Sequence, residues 1–168
     1  MNRKGFTLIE LLAVIVVLGL VLVVTIPSIT SAYKNSKIKS EEVFVDRLTQ
    51  AIDSYVKLNS DTMSFSCKSD RCEGRKTENG KEYDITYQKG VITINDIIKD
   101  GILTQKDFVN AGNKETSCDT SAEVEVYKDS DFVYCYKMEI NSLNCLTDAY
   151  KKNKKYAIDT CVWKENQG

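Results

Sequence analysis

No histidine occurs anywhere in the 168 residues, and that absence removes several chemistries at once. Ser-His-Asp and Cys-His catalysis, histidine-containing zinc sites and the usual neutral-pH proton shuttle all require an imidazole. An excess of positive charge is missing too. The 23 Lys and Arg are balanced by 24 Asp and Glu, so no global basic field draws the chain to nucleic acid or to an anionic membrane surface. Tryptophan and proline occur once each, at Trp163 and Pro27, and no internal repeat or low-complexity tract stands out. Aliphatic residues crowd into the first 26 positions, leaving a Lys/Asp/Asn-rich remainder with limited material for a core. All six cysteines (Cys67, Cys72, Cys118, Cys135, Cys145 and Cys161) lie in that remainder. An even number of cysteines there favours disulfides in an oxidising compartment.

Residues 6–26 form one apolar run, FTLIELLAVIVVLGLVLVVTI, long enough as a helix to cross a hydrocarbon core of about 30 Å. Arg3 and Lys4 precede it, and by the positive-inside tendency they keep the N-terminus cytoplasmic and send the rest outward. A secretory signal peptide also starts with positive charge, but it has a shorter apolar stretch and ends at a small-x-small cleavage site. Here the run continues into Thr25-Ile26-Pro27-Ser28-Ile29, and only Ala32 offers a weak alternative cut. Inside the run sits one carboxylate, Glu10. A charge there is penalised by an amount on the order of 2–3 kcal/mol near the bilayer centre and less near its edge, so it needs either a headgroup to reach or a partner.

The stretch Gly5-Phe6-Thr7-Leu8-Ile9-Glu10 behind a short basic leader resembles the processing motif of the type IV pilin and pseudopilin family. The resemblance is confined to the N-terminal helix, and the remainder carries no family signature. It implies cleavage after Gly5 by a prepilin peptidase and methylation of the new terminus, Phe6. It implies also that Glu10 pairs with the Phe6 amine of a neighbouring subunit. The physics agrees, because an ammonium and a carboxylate in an apolar filament core are each intolerable alone and neutralise one another across the subunit boundary. Gly19 and Pro27 match positions at which family helices are weakened, Gly19 by low propensity and Pro27 by its missing N–H. Pro27 equally marks the membrane edge. The implied partners are sister pilins and copies of the chain itself, an assembly ATPase and a membrane platform protein. No cofactor and no metal is implied.

Past Pro27 the pattern turns amphipathic. Phe44, Leu48, Ala51, Tyr55 and Leu58 recur at steps of three or four, joined by Val45 and Ile52, which is one face of a helix. Charged and amide residues, among them Lys37, Lys39, Glu41, Glu42, Asp46 and Asp53, take most other places. Residues 6–59 as one helix would be about 80 Å long at 1.5 Å per residue, so half of it must project from a small domain. A projecting apolar half belongs first in a bilayer and then among identical helices, where a non-closing interface generates a filament.

Beyond residue 60, residues 83–87 and 91–94 read as a hairpin turning at Gln88-Lys89-Gly90. Thr93-Ile94-Asn95-Asp96 has the form of a capping box for a short helix ending near Gly101. Residues 123–127 and 132–140 make a second hairpin. The expected class is α+β, a long N-terminal helix packed on a small antiparallel sheet. The divisions are a leader at residues 1–5, an apolar polymerisation half at 6–27, an amphipathic half at 28–59 and a disulfide-bonded head at 60–168.

Among 15 connectivities for six cysteines, the sequence suggests only a local Cys67–Cys72 ring, the other four pinning the second hairpin and the C-terminal segment. A four-thiolate zinc site lacks any C-x-x-C pair. Lys151, Lys152, Lys154 and Lys155 read as a solvated turn and Trp163 as a core plug, with DNA contact the competing use of the lysines. The expected protein is a non-enzymatic filament subunit, membrane-bound before assembly and on the cell surface after it. A minor pilin or pseudopilin with a binding head, in secretion or DNA uptake, is the second reading. An enzyme has neither histidine nor a nucleophile motif behind it.

Overall fold

The structure, a computed structural model, describes residues 7–67, 72–106, 108–110 and 113–165; within these, the side chains of 24–28, 110, 113–116 and 164–165 are not described. The chain divides into two compact units, Met1–Lys39 and Ser40–Gly168. One helix, α1 (Leu8–Asn59), contributes to both.

From Leu11 to Val23 the helix is apolar on all sides, and its large side chains from Leu8 at 84% to Val23 at 72% are exposed. Among the described residues no helix is long and apolar enough to cross a membrane. The run expected from the sequence, residues 6–26, includes Phe6 and three side chains near its end that lie outside the described ones. Backbone helix continues through Gly19 and Pro27. A side chain at Gly19 would meet nothing within 4 Å, so no close packing demands glycine there.

In the second unit the helix buries one face. Val45, Leu48, Ala51, Ile52 and Val56 are buried, while Leu58, expected on that face, is 76% exposed beyond its end. Val56 occupies the fourth position after Ile52 and fills the place assigned to Leu58. Cross-links to the sheet side are specific. The Tyr136 hydroxyl donates to Asp53 at 2.9 Å, Asn59 donates to Asp100 at 2.8 Å, and Phe44 lies 5.7 Å from Phe108.

The sheet runs β7-β6-β5-β2-β1-β8, with neighbours antiparallel. Its strands are β1 (Glu73–Glu78), β2 (Lys81–Thr93), β5 (Glu123–Asp129), β6 (Tyr134–Glu139), β7 (Tyr156–Asp159) and β8 (Trp163–Glu165). A separate ribbon pairs β3 (Val109–Asn110) with β4 (Asn113–Ser117). Two short helices complete the unit, α2 (Ile94–Lys99) and α3 (Asp148–Lys151). The fold is α+β, a helix on an antiparallel sheet.

One expected hairpin is absent. Residues 83–94 do not turn at Gln88-Lys89-Gly90; β2 runs straight through them, pairing with β1 over its first half and with β5 over its second. Gly90 serves close approach instead. The Phe65 ring sits where a Cβ would be, 3.2 Å from it, which is a common use of glycine inside a strand. The turn is at Asn79-Gly80, where φ is 52° and 74°, the positive pair of a type I′ hairpin. The second expected hairpin forms as β5 and β6. The capping box forms as well: Thr93 Oγ1 accepts from the Asp96 N–H, the Asp96 carboxylate accepts from the Thr93 N–H, and Gly101 follows the helix at φ 74°.

Strand alternation gives the sheet two differently built faces. Val124, Val126, Tyr136, Met138 and Ile158 join Ile94 and Ile97 of α2 in the main apolar core. Their strand neighbours Tyr127 and Cys135 form a second cluster with Trp163, packed against Ile85, Tyr87 and Cys161. Trp163 stacks on Tyr87 at 4.4 Å and meets Tyr127 edge-on at 5.2 Å, so it is a core residue.

Candidate functional site

Two features mark the chain chemically: the start of α1 and the staples of the second unit. Glu10 lies in the first turn of α1, and its Oε2 accepts from both the backbone N–H and the hydroxyl of Thr7, each at 2.8 Å. The Glu10 N–H donates in return to Thr7 Oγ1 at 3.3 Å. This is a capping box. It satisfies backbone donors that the first turn of any helix leaves unpaired, and it sets the carboxylate beside the positive end of the helix dipole. Oε1 takes part in none of these bonds. The reading of the sequence singles out Glu10 and passes over Thr7, although the Thr-x-x-Glu spacing is itself the signal. Around the box, Leu8, Ile9, Leu11 and Leu12 are all more than half exposed, so the acid stands in a continuous apolar surface. Soluble monomers rarely show such a patch, which marks a membrane or protein contact. Gly5 and Phe6, the expected processing pair, lie outside the described residues. No contact made by the side chain of Pro27 is described either.

All six cysteines are in disulfides: Cys67–Cys72, Cys118–Cys145 and Cys135–Cys161. That excludes a thiolate zinc site built from them. The second bridge ties the segment before β5 to the one after β6, and the third ties β6 to the link between β7 and β8.

A functional group missed from the sequence is Glu41. Expected on the solvated face, it is fully buried. Its Oε1 accepts from the Thr147 N–H at 3.0 Å and its Oε2 from the Thr147 hydroxyl at 2.7 Å. Thr147 is the N-cap of α3, so one carboxylate on α1 anchors the start of a helix more than a hundred positions later. A buried carboxylate persists only with such donors. Lys137 is buried too, among the rings of Tyr127, Trp163 and Tyr156 at 5.2, 5.3 and 6.0 Å. The lysines after α3 lie in a turn, where Lys154 sits 3.6 Å over Tyr150 and Lys155 4.9 Å over Tyr156.

Several carboxylates are held below their ordinary range. Asp53 is lowered chiefly by its hydrogen bond to Lys57, with a further one from Tyr136, and Asp96 by the Thr93 hydroxyl and N–H. For Glu125, burial pushes upward, but hydrogen bonds from Lys89 and Tyr127 outweigh it. These are structural pairings. Among the described residues no cluster of His, Cys, Asp or Glu is placed to hold a metal ion.

An apolar helix start with a capped acid in its first turn and a helix-on-sheet unit with α+β architecture are the features that set this chain apart. The comparisons give the family resemblance. Residues 1–26 match the family described as the prokaryotic N-terminal methylation motif. The chain is also 38% identical over 55 residues to the ComG operon protein 3 homolog of Bacillus licheniformis, a stretch covering 33% of this chain and 57% of that relative. The chain thus spans a little over half the length of the curated relative it matches. In its N-terminal segment the chain resembles type IV pilins and pseudopilins. No solved structure matches it.

Proposed function

We propose that the chain is a structural subunit of a type IV pilus or pseudopilus-like filament, made as a prepilin and processed between Gly5 and Phe6. A prepilin peptidase removes residues 1–5 and the Phe6 amine is methylated. The apolar half of α1 holds the subunit in the membrane with its head outside. An assembly ATPase and a platform protein then transfer it, with sister pilins, into a surface filament. Residues 6–27 form the polymerisation segment, and Gly19 and Pro27 let the helix extend or bend there. The protein is not an enzyme in this reading.

The observation that carries the reading is Glu10, a capped carboxylate in an exposed apolar surface within the methylation motif. The capping box occupies Oε2 and leaves Oε1 to accept from the methylated amine of an adjoining Phe6. Burial of both charges demands the pairing, because removing one partner strands the other in an apolar core. Mass spectrometry of the protein recovered from its native host tests the processing step. The expected N-terminus is N-methylated Phe6; an intact Met1 terminus on filament-associated protein contradicts it.

The likeness to a ComG operon protein favours a second, more specific reading, a pseudopilin of a competence machine. In that role the filament would serve DNA uptake, without any residue of the head being assigned to DNA. Deletion of the gene with transformation frequency as readout separates this use from adhesion, motility or secretion.

A further inference from the structure

A cleft of about 380 Å³ opens in the head between the Cys67–Cys72 bridge and the turn joining β5 to β6. Its walls include Thr86, Tyr87 and Gln88 of β2, Lys128 near the end of β5, and Ser130 and Phe132 of the turn. Two of these residues are placed in ways that folding alone does not explain.

Phe132 is 70% exposed and has φ of 61°. A left-handed backbone is costly for a bulky residue, and an exposed ring gains little burial in return. The turn is nevertheless held in this form. Asp129 Oδ1 accepts from the N–H groups of Asp131 at 2.9 Å and Val133 at 2.8 Å, and the Phe132 N–H donates to the Asp129 carbonyl at 3.2 Å. Asp129 also lines the cleft, but this carboxylate oxygen is committed to the turn.

Lys128 is the second. Its ammonium lies 4.2 Å from the ring centre of Phe132, 5.6 Å from that of Phe65 and 5.9 Å from that of Tyr134. Among the described residues it forms no salt bridge. It is therefore a half-buried cation that rests on π faces, with no carboxylate in salt-bridge reach among the described residues.

We propose that this cleft binds a carboxylated saccharide, the sugar ring lying on the Phe132 ring and its carboxylate on Lys128. Hydroxyl and amide groups from Thr86, Gln88 and Ser130 match a ligand rich in hydroxyls, and a concave site with aromatic walls and few polar groups is the usual form of a small-ligand site. A nucleic-acid strand fits less well. Strand binding uses a continuous basic track beside its stacking rings, whereas this turn carries one lysine next to Asp129 and Asp131. The site is independent of whether the chain polymerises.

Binding is read by isothermal titration calorimetry. The full chain in detergent micelles is titrated with a tetrasaccharide of alternating glucuronate and N-acetylglucosamine, and with its methyl ester. A saturable heat of binding with the acid, and binding about tenfold weaker with the ester, is expected. Phe132→Gly removes the ring at a position whose backbone suits glycine, so its melting temperature should hold while binding falls about tenfold. Lys128→Met should make acid and ester bind alike. No saturable response at millimolar saccharide overturns the proposal, as does unchanged binding by a folded Phe132→Gly protein. A thymidine dodecamer that binds through Lys128 and Phe132 while the saccharide does not would overturn it equally.

Discussion

The two units of this chain solve opposite problems. In Met1–Lys39 the aliphatics from Leu8 to Val23 are exposed and stand around one acid, Glu10, whereas the strands of Ser40–Gly168 bury most of theirs and that unit is closed by three disulfides. An exposed apolar surface of that size marks a site of contact with lipid or protein. The second unit is self-contained: among the described residues every buried side-chain nitrogen or oxygen has a hydrogen-bond partner. The contrast extends to the two glutamates of α1. Glu10 is exposed and half engaged by Thr7, while Glu41 is buried with both oxygens engaged by Thr147. One acid is left open to a further partner and the other is closed within its own chain.

Reducing the disulfides should break the comparison most sharply. Each native bridge in a small exported domain contributes about 2–5 kcal/mol, so the three together exceed what a core of this size can replace. The head's near-ultraviolet dichroism should vanish in reductant while helical signal from the apolar segment persists in micelles. Glu41→Leu comes next. It leaves the half-buried Thr147 N–H and hydroxyl without their carboxylate acceptor, an expected loss of about 2 kcal/mol in denaturant unfolding of the head. Glu41→Gln, which keeps one acceptor, should lose less.

Thr93→Ala removes the N-cap of α2 and should cost about 1 kcal/mol by the same measurement. It should also flatten the acid limb of stability. Asp96 is depressed in the folded state by its bonds to Thr93, so its contribution is present above the unfolded carboxylate range and fades as pH falls through the folded value. Asp53 and Glu125 act in the same direction, so the head should lose stability below about pH 4, less steeply in the Thr93→Ala protein.

Most of this division was legible in the sequence because it is local. The apolar run, the helical spacing that buries Leu48 and Ile52, and the Thr93/Asp96 box are each set within a few residues. The misreadings come from distance. Gly90 looks like a turn until Phe65 is brought against it, and Glu41 looks solvated until Thr147 arrives from the far end of the chain. Asn79-Gly80 was a strong turn signal that Gln88-Lys89-Gly90 obscured. At the N-terminus, Glu10 announced itself as a charge in an apolar run, whereas Thr7 is recognised only through the bonds it makes. The cleft beside Phe132 joins β2 to the β5–β6 turn and has no signature along the chain.

In the filament proposed above, Glu10 takes its counter-charge from another copy of the chain. The most direct measure of that pairing is the amount of protein in filaments sheared from cells expressing Glu10→Leu, at equal membrane levels of subunit. The sheared fraction should fall to background, with the head's disulfides intact. Wild-type yields of normal filaments from Glu10→Leu would contradict the account.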